Sequence, residues 1–142
     1  MGSLGRSTTT GGGKKSPALV ESVDAEAACA LLVSQQYEYI DVRMWEDFDR
    51  GHVAGARNVP YYLSVTPHGR PERNDRFVEQ VAALHGEEDR IVVGCRSGAR
   101  SSLAAADLVD AGFKNVKNLR GGYLSLLKSI SSTSAGLYNN LI

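Results

Sequence analysis

The chain has 142 residues, with 16 Lys+Arg balanced by 16 Asp+Glu and no formal net charge. That length supports one domain with a real core, and the charge balance excludes the basic excess that nucleic-acid binders and polybasic membrane modules use. Two cysteines, Cys29 and Cys95, lie far apart with no Cys-x-x-Cys pair, which argues against a disulfide framework and a structural zinc site and fits a reducing compartment better.

Residues 1–17 are rich in Ser, Thr and Gly, lack acids, and carry Arg6, Lys14 and Lys15. They read as a disordered tail. A short organelle-targeting segment is the sharper alternative, and a secretory signal is excluded by the missing apolar stretch. The pattern turns globular at Ala18. Val23 to Leu32 reads as a short amphipathic helix with Asp24 as its N-cap. Tyr37 to Val42 reads as a strand, Trp45 to Arg50 as one or two helical turns ended by Gly51, and Ala56 to Val59 as a second short strand stopped by Pro60. Leu63 to Asp75 contains Pro67, Gly69 and Pro71 and reads as a loop. Arg76 to Leu84 is predicted helical, with Phe77, Val81 and Leu84 on one face.

Ile91 to Gly94 is too apolar for a surface strand and reads as a central strand of a parallel sheet. Ser101 to Ala111 follows as a helix, with Gly112 just past its end. Val116 to Leu119 is a last strand before the Gly121-Gly122 turn. Ser129 to Ile142 is uncharged and Ser/Asn-rich and reads as loosely packed. Alternation of strands and helices predicts an α/β fold whose sheet is mainly parallel, with its site at the carboxyl ends of the strands. The expected organisation is a tail over 1–17, a domain over 18–128 and a loose tail over 129–142. No apolar run is long enough to span a membrane.

Cys95-Arg96-Ser97-Gly98-Ala99-Arg100 therefore lies between a strand end and a helix N-terminus. Such a position favours anions and thiolate, because helix N–H groups and nearby cations lower a thiol pKa from its usual ~8.5. Gly98 supplies the backbone freedom that a nest of inward N–H groups requires. Arg96 and Arg100 add charge, Ser97 and Ser101 add hydroxyls, and Ser101 is placed to cap the helix. A lone free cysteine is more often an inert small hydrophobe. The two arginines and the glycine turn the reading to a reactive thiol.

At this point the loop resembles the active-site loop of the rhodanese sulfurtransferase family. The upstream segment Asp41-Val42-Arg43-x2-Glu46-x-Phe48-x2-Gly51-His52-Val53-x-Gly55-Ala56-x-Asn58-Val59-Pro60 is similar to that family throughout, and Gly112-Phe113 with Gly121-Gly122-Tyr123 resembles its close. The compact form resembles small plant rhodaneses linked to senescence. The resemblance implies a three-layer fold with about five strands. It implies a Cys95 nucleophile, and donor binding by Arg96, Ser97, Gly98, Ala99, Arg100 and Ser101. The supporting residues are Asp41, Arg43, Glu46 and His52. Asp41, Arg43 and Glu46 would form an ion-pair cluster beside the site, and His52 a hydrogen-bonded scaffold.

The implied chemistry is a Cys95 persulfide made from thiosulfate or another small anionic sulfur donor and passed to cyanide or a thiol such as glutathione or thioredoxin. No cofactor or metal is expected, and the three histidines lack metal-ligand spacing. The expected protein is a monomer that binds neither nucleic acid nor membrane. It is cytoplasmic, or plastid or mitochondrial if the tail is a targeting segment. Two alternatives remain: arsenate reduction, and a non-catalytic persulfide-sensing or interaction module. Phosphatases and arsenate reductases of related fold use a Cys-x5-Arg loop, whereas four residues separate Cys95 from Arg100. A shorter ring of N–H donors suits one sulfur atom better than a tetrahedral oxyanion. Gly94 stands where those phosphatases commonly carry histidine, and the loop contains no acid. Cys29, among Ala and Leu on a helix face, reads as core, with a resolving role as its alternative. His68 and Arg70 lie on a loop that would rim the site.

Overall fold

The computed structural model describes residues 19–65, 67–132 and 139–142. The tail expected over 1–17 lies outside the described residues. The elements in chain order are β1 (Glu21–Val23), α1 (Ala25–Ser34), β2 (Glu38–Asp41), α2 (Trp45–Arg50), β3 (Arg57–Asn58), β4 (Tyr62–Val65), β5 (Pro71–Arg73), α3 (Phe77–Ala82), β6 (Arg90–Gly94), α4 (Ala99–Asp110), β7 (Asn115–Leu119) and α5 (Gly122–Ser132). A short 3-10 helix spans Asn139–Leu141.

Five strands form one sheet in the order β1-β7-β6-β2-β3. Every pairing in it is parallel. The fold is thus α/β with a five-stranded parallel sheet, and β6 is its central strand. Burial on both faces explains why Ile91, Val92 and Val93 form an unbroken apolar run.

The period-2 alternation of the strands sorts the core into two clusters. Ile40, Val42, Ile91, Val93 and Val116 pack with Phe77, Val81, Ala104, Ala105 and Leu108 of α3 and α4. Tyr39, Val92 and Leu119 pack on the other face with Ala25, Ala28, Cys29, Leu126 and Ile130 of α1 and α5. Small residues on the inner faces of α1 and α4 let both helices approach the sheet closely.

Several expectations are corrected. The predicted loop over Leu63 to Asp75 contains the antiparallel pair β4 and β5. The turn residues belong to a hairpin: Gly69 has φ +81°, and Pro71 opens β5, where a missing N–H is tolerated. The three residues of β1 were invisible to periodicity because their strand character comes from pairing with β7. Helix α4 begins at Ala99, two residues before the predicted start, so Ser101 lies inside the first turn and Gly98 takes the cap position.

The looseness expected from Ser129 onward is corrected at two places. Ile130 is 4% exposed within the core. The Ala54 N–H donates to the Leu141 carbonyl at 2.6 Å, and the Leu141 side chain packs against the α1/α5 cluster. Apolar residues on the inner face of α5, together with Leu141, carry this packing, which the Ser/Asn-rich composition concealed.

Ile130→Ala is therefore expected to cost about 2–5 kcal/mol, as for other buried aliphatic truncations. Urea unfolding measures it, and an unchanged midpoint would show that the end of α5 contributes nothing to the core.

Candidate active site

The sheet ends β6 at Gly94, so Cys95 emerges at the carboxyl edge beside the end of β2. Two helix N-termini converge on the turn that follows. The first belongs to α4. Gly98 N–H donates to Cys95 Sγ at 3.0 Å and Ser101 N–H at 3.4 Å. The thiol in turn donates to Ser101 Oγ at 3.5 Å. Gly98 has φ +110°, a conformation that L side chains rarely adopt, and this bend aims its N–H at the sulfur.

The second N-terminus belongs to α5. Tyr123 N–H donates to the Cys95 carbonyl at 2.8 Å, and Leu124 N–H to the Arg96 carbonyl at 3.3 Å. In a trans peptide the C=O and N–H point in opposite directions. Holding those two carbonyls toward α5 turns the following N–H groups of Arg96 and Ser97 toward the pocket. The approach is so close that a Cβ on Gly122 would sit 2.3 Å from the Arg96 carbonyl oxygen.

Burial alone would raise the Cys95 pKa. The hydrogen bond shared with the Ser101 hydroxyl and those donated by the backbone N–H groups of Ser101, Gly98 and Ser97 outweigh it and hold the thiol pKa below its ordinary value. Cys29 behaves oppositely. Burial, reinforced by Glu26, pushes its thiol up to about 11. It lies in the α1/α5 cluster while Cys95 belongs to the α3/α4 cluster, with the sheet between them, so no resolving disulfide can form without unfolding.

A cavity of about 240 Å³ opens over the sulfur, lined by Arg43, Asp47, Cys95, Arg96, Ser97, Ala99 and Arg100. Arg100 is braced by the β4/β5 hairpin, its guanidinium stacked over the Tyr62 ring at 4.9 Å. Arg43 is buried and forked on Asp41, with Nη2 to Oδ2 at 2.7 Å and Nε to Oδ1 at 3.0 Å. It also donates to the Gly51 carbonyl at 2.7 Å and lies 4.4 Å from the Tyr123 ring centroid. Asn58 Nδ2–H donates to the backbone carbonyls of Asp41 and Arg43 at 3.0 and 2.9 Å. These contacts tie together the end of β2, the end of α2 and the start of α5.

The ion-pair cluster expected of Asp41, Arg43 and Glu46 is corrected: only Asp41 and Arg43 pair. Glu46 is exposed on α2, and the helix turns the next acid, Asp47, into the pocket instead. No local signal singled out Asp47 over Glu46, since Arg43 precedes α2 and the rotation of that short helix decides which acid faces the pocket. His52 donates from Nδ1 to the Phe48 carbonyl at 2.7 Å and stacks on the Phe48 ring at 3.7 Å. It thereby fixes the α2 exit outside the set of pocket-lining residues. His68 and Arg70 are exposed on the hairpin turn, and Tyr62 is the hairpin residue that meets the site.

A match to the family model described as "Rhodanese-like domain" covers residues 24–129. The chain is 49% identical over 108 residues to thiosulfate sulfurtransferase 18 of Arabidopsis thaliana, spanning 75% of this chain and 77% of that protein. The chain belongs to the rhodanese-like domain family. Another Arabidopsis thaliana relative, the mitochondrial protein HIGH ARSENIC CONTENT 1, is 39% identical over 73% of this chain and 60% of its own length. The solution structure of an Anabaena rhodanese-like domain superposes with a TM-score of 0.63 at 21% identity, covering 82% of this chain and 86% of that one. The rhodanese-like architecture accounts for the placement of Cys95, with sheet, α4 and α5 all oriented toward one turn.

The residue before Cys95 is fixed by packing. A Cβ on Gly94 would lie 1.8 Å from the Tyr39 hydroxyl oxygen, and Tyr39 itself is 2% exposed. Tyr39 therefore occupies the volume that a histidine would need there. Gly94→Ala is expected to lose about 1–3 kcal/mol through overpacking. Urea unfolding followed alongside Cys95 alkylation checks it, and an unaltered midpoint would mean that the Tyr39 ring yields without cost.

Proposed function

We propose that this rhodanese-like protein is a sulfurtransferase that carries one sulfane sulfur on Cys95. The observation that supports this reading is the turn itself: Gly98 and Ser101 N–H groups close on the sulfur at 3.0 and 3.4 Å. Those N–H groups stabilise negative charge on the Cys95 sulfur, the state that attacks a sulfur donor. In the first half-reaction the Cys95 thiolate attacks the outer sulfur of a donor such as thiosulfate. A new S–S bond forms, the S–S bond to the sulfonate breaks, and sulfite leaves with the electron pair. Cys95 then bears a persulfide whose terminal sulfur is anionic at neutral pH and meets the inward N–H groups. In the second half-reaction cyanide or an acceptor thiolate attacks that terminal sulfur. Thiocyanate or a new persulfide departs, and the Cys95 thiolate is restored. This is covalent catalysis with expected ping-pong kinetics.

Arg96 and Arg100 draw the anionic donor and stabilise the charge that develops on the departing sulfite. A preformed thiolate removes the need for a general base. Small thiols of the glutathione type, or an exposed thiol on a thioredoxin-like protein, suit the open mouth of the pocket as acceptors.

Incubation with thiosulfate is expected to add one sulfur atom to the Cys95 peptide, detected by mass spectrometry, and Cys95→Ser abolishes both the adduct and turnover. Because the thiolate is the nucleophile and its pKa is lowered, the single-turnover rate rises with pH with a midpoint below that of an ordinary cysteine. Absence of any adduct, with thiol-dependent reduction of arsenate in a parallel assay, would overturn the sulfur-transfer reading.

Asp47 sets a limit on how strongly a dianion binds, since its carboxylate faces the same cavity as the arginines. Asp47→Asn is expected to lower KM for thiosulfate by roughly three- to fivefold at low salt, and the gain shrinks as ionic strength rises. Steady-state kinetics at two salt concentrations test it, and a KM that rises would show that Asp47 aids donor binding.

A further inference from the structure

Behind Cys95, on the side away from the pocket mouth, a chain of hydroxyl and amide groups crosses from the nucleophile to the sheet edge. Ser101 is fully buried and Asn118, on β7, is 5% exposed. Ser101 Oγ–H donates to Asn118 Oδ1 at 2.6 Å, and Asn118 Nδ2–H donates to Ser22 Oγ at 3.1 Å. The Gly98 carbonyl lies 3.2 Å from the same Ser101 oxygen. A serine hydroxyl has one proton. While Asn118 Oδ1 accepts that proton, Ser101 can meet Cys95 only as an acceptor, so that contact is made only by the thiol form of Cys95. To donate to a thiolate, Ser101 has to turn its proton away from Asn118.

We propose that Asn118 is a positioning residue for the nucleophile: its side-chain amide, acting through Ser101, reverses direction when Cys95 ionises. A half-turn of the amide exchanges Oδ1 and Nδ2 without displacing the heavy-atom frame. Nδ2–H then donates to Ser101 Oγ, the Ser101 proton points at the Cys95 sulfur, and Oδ1 accepts from the Ser22 hydroxyl. Ser22 is exposed on β1, so water accommodates its rotation. The thiol proton leaves through the pocket. Every polar group in the chain stays satisfied in both states, which a residue that only accepts or only donates cannot achieve. Neither the Ser101 contact to Asn118 nor that to Cys95 is made by a pairing readable in the linear sequence.

The charged and titratable groups that face Cys95 are Arg43 and Asp47 on the α2 side, Arg96 and Arg100 from the turn and α4, and the Tyr39 hydroxyl from β2. All remain in the variants compared, so differences report the amide. The experiment follows the pH dependence of iodoacetamide alkylation of the full chain, with the Cys95 peptide quantified by mass spectrometry. Asn118→Asp places an acceptor-only carboxylate against Ser101 and is expected to raise the midpoint by about one pH unit, a tenfold loss of thiolate at a given pH. In a Ser101→Ala background the same change is expected to shift the midpoint much less, because the path through the hydroxyl is gone. An unmoved midpoint in Asn118→Asp, or an equal shift in both backgrounds as a simple field effect would give, overturns the proposal. Should Asn118→Asp fail to fold, the unaltered protein answers the same question by NMR. The Asn118 side-chain amide resonances are expected to titrate with the Cys95 midpoint, and resonances indifferent to it overturn the proposal. Alkylation reads the thiolate whatever sulfur or oxyanion cargo the pocket takes, so a failure here is distinct from a failure of the sulfur-transfer reading.

Discussion

The site depends on the orientation of two peptide planes. The N-terminus of α5 holds the Cys95 and Arg96 carbonyls outward, at 2.8 and 3.3 Å, and planarity then turns the next N–H groups inward. The N-terminus of α4 completes the arrangement from the other side through Gly98 and Ser101. An anion inside the turn is thus met by fixed dipoles that need no reorganisation when charge appears. The cost is steric. Gly122 has no room for a side chain, since an added Cβ would meet the Arg96 carbonyl oxygen at 2.3 Å, and at Gly98 the φ of +110° disfavours one while a Cβ would crowd the Gly121 nitrogen at 3.2 Å. Electrostatic function and glycine placement are two consequences of the same close approach.

Around that turn the charges are divided by burial. The Asp41–Arg43 fork is nearly inaccessible, with side-chain exposures of 1% and 8%, and it is satisfied by backbone and aromatic partners as well as by itself. Breaking one member would strand a buried charge, so its role is to hold three chain segments in place while presenting one edge of Arg43 to the pocket. Arg96 is exposed and Arg100 half-buried over Tyr62, so both remain available to an incoming anion. Tyr39 reinforces the division from below. Burial and the nearby Asp41 push its hydroxyl pKa far up, so it fills the space over Gly94 as a neutral group.

Much of the domain was legible before any coordinates. The apolar run ending at Gly94 marked the central parallel strand, Asp24 marked the start of α1 by accepting from the Ala27 N–H at 2.8 Å, and Gly51 marked the end of α2. These are local signals: apolar period, a capping oxygen and a helix stop. What was not legible lacks such signals. The hairpin β4/β5 was hidden because Pro67, Gly69 and Pro71 are turn formers whether they join two strands or none. The packing of Ile130 was hidden by the serines around it, and that of Leu141 by the two asparagines before it.

The sequence by itself determined that Cys95 lies in an arginine-bearing turn between a strand and a helix, and that Asp41 and Arg43 lie at the end of another strand. Those statements follow from order along the chain, and order is what a sequence records. The tertiary structure alone decided which groups face the sulfur. It put Asp47 rather than Glu46 into the pocket, because one residue rotates a helical side chain by a large fraction of a turn. It joined Ser101 to Asn118 and Ser22, residues on three elements that meet only when β7 lies between β1 and β6. Side-chain direction and long-range pairing are set by packing of the whole sheet against its helices, and no local pattern carries them.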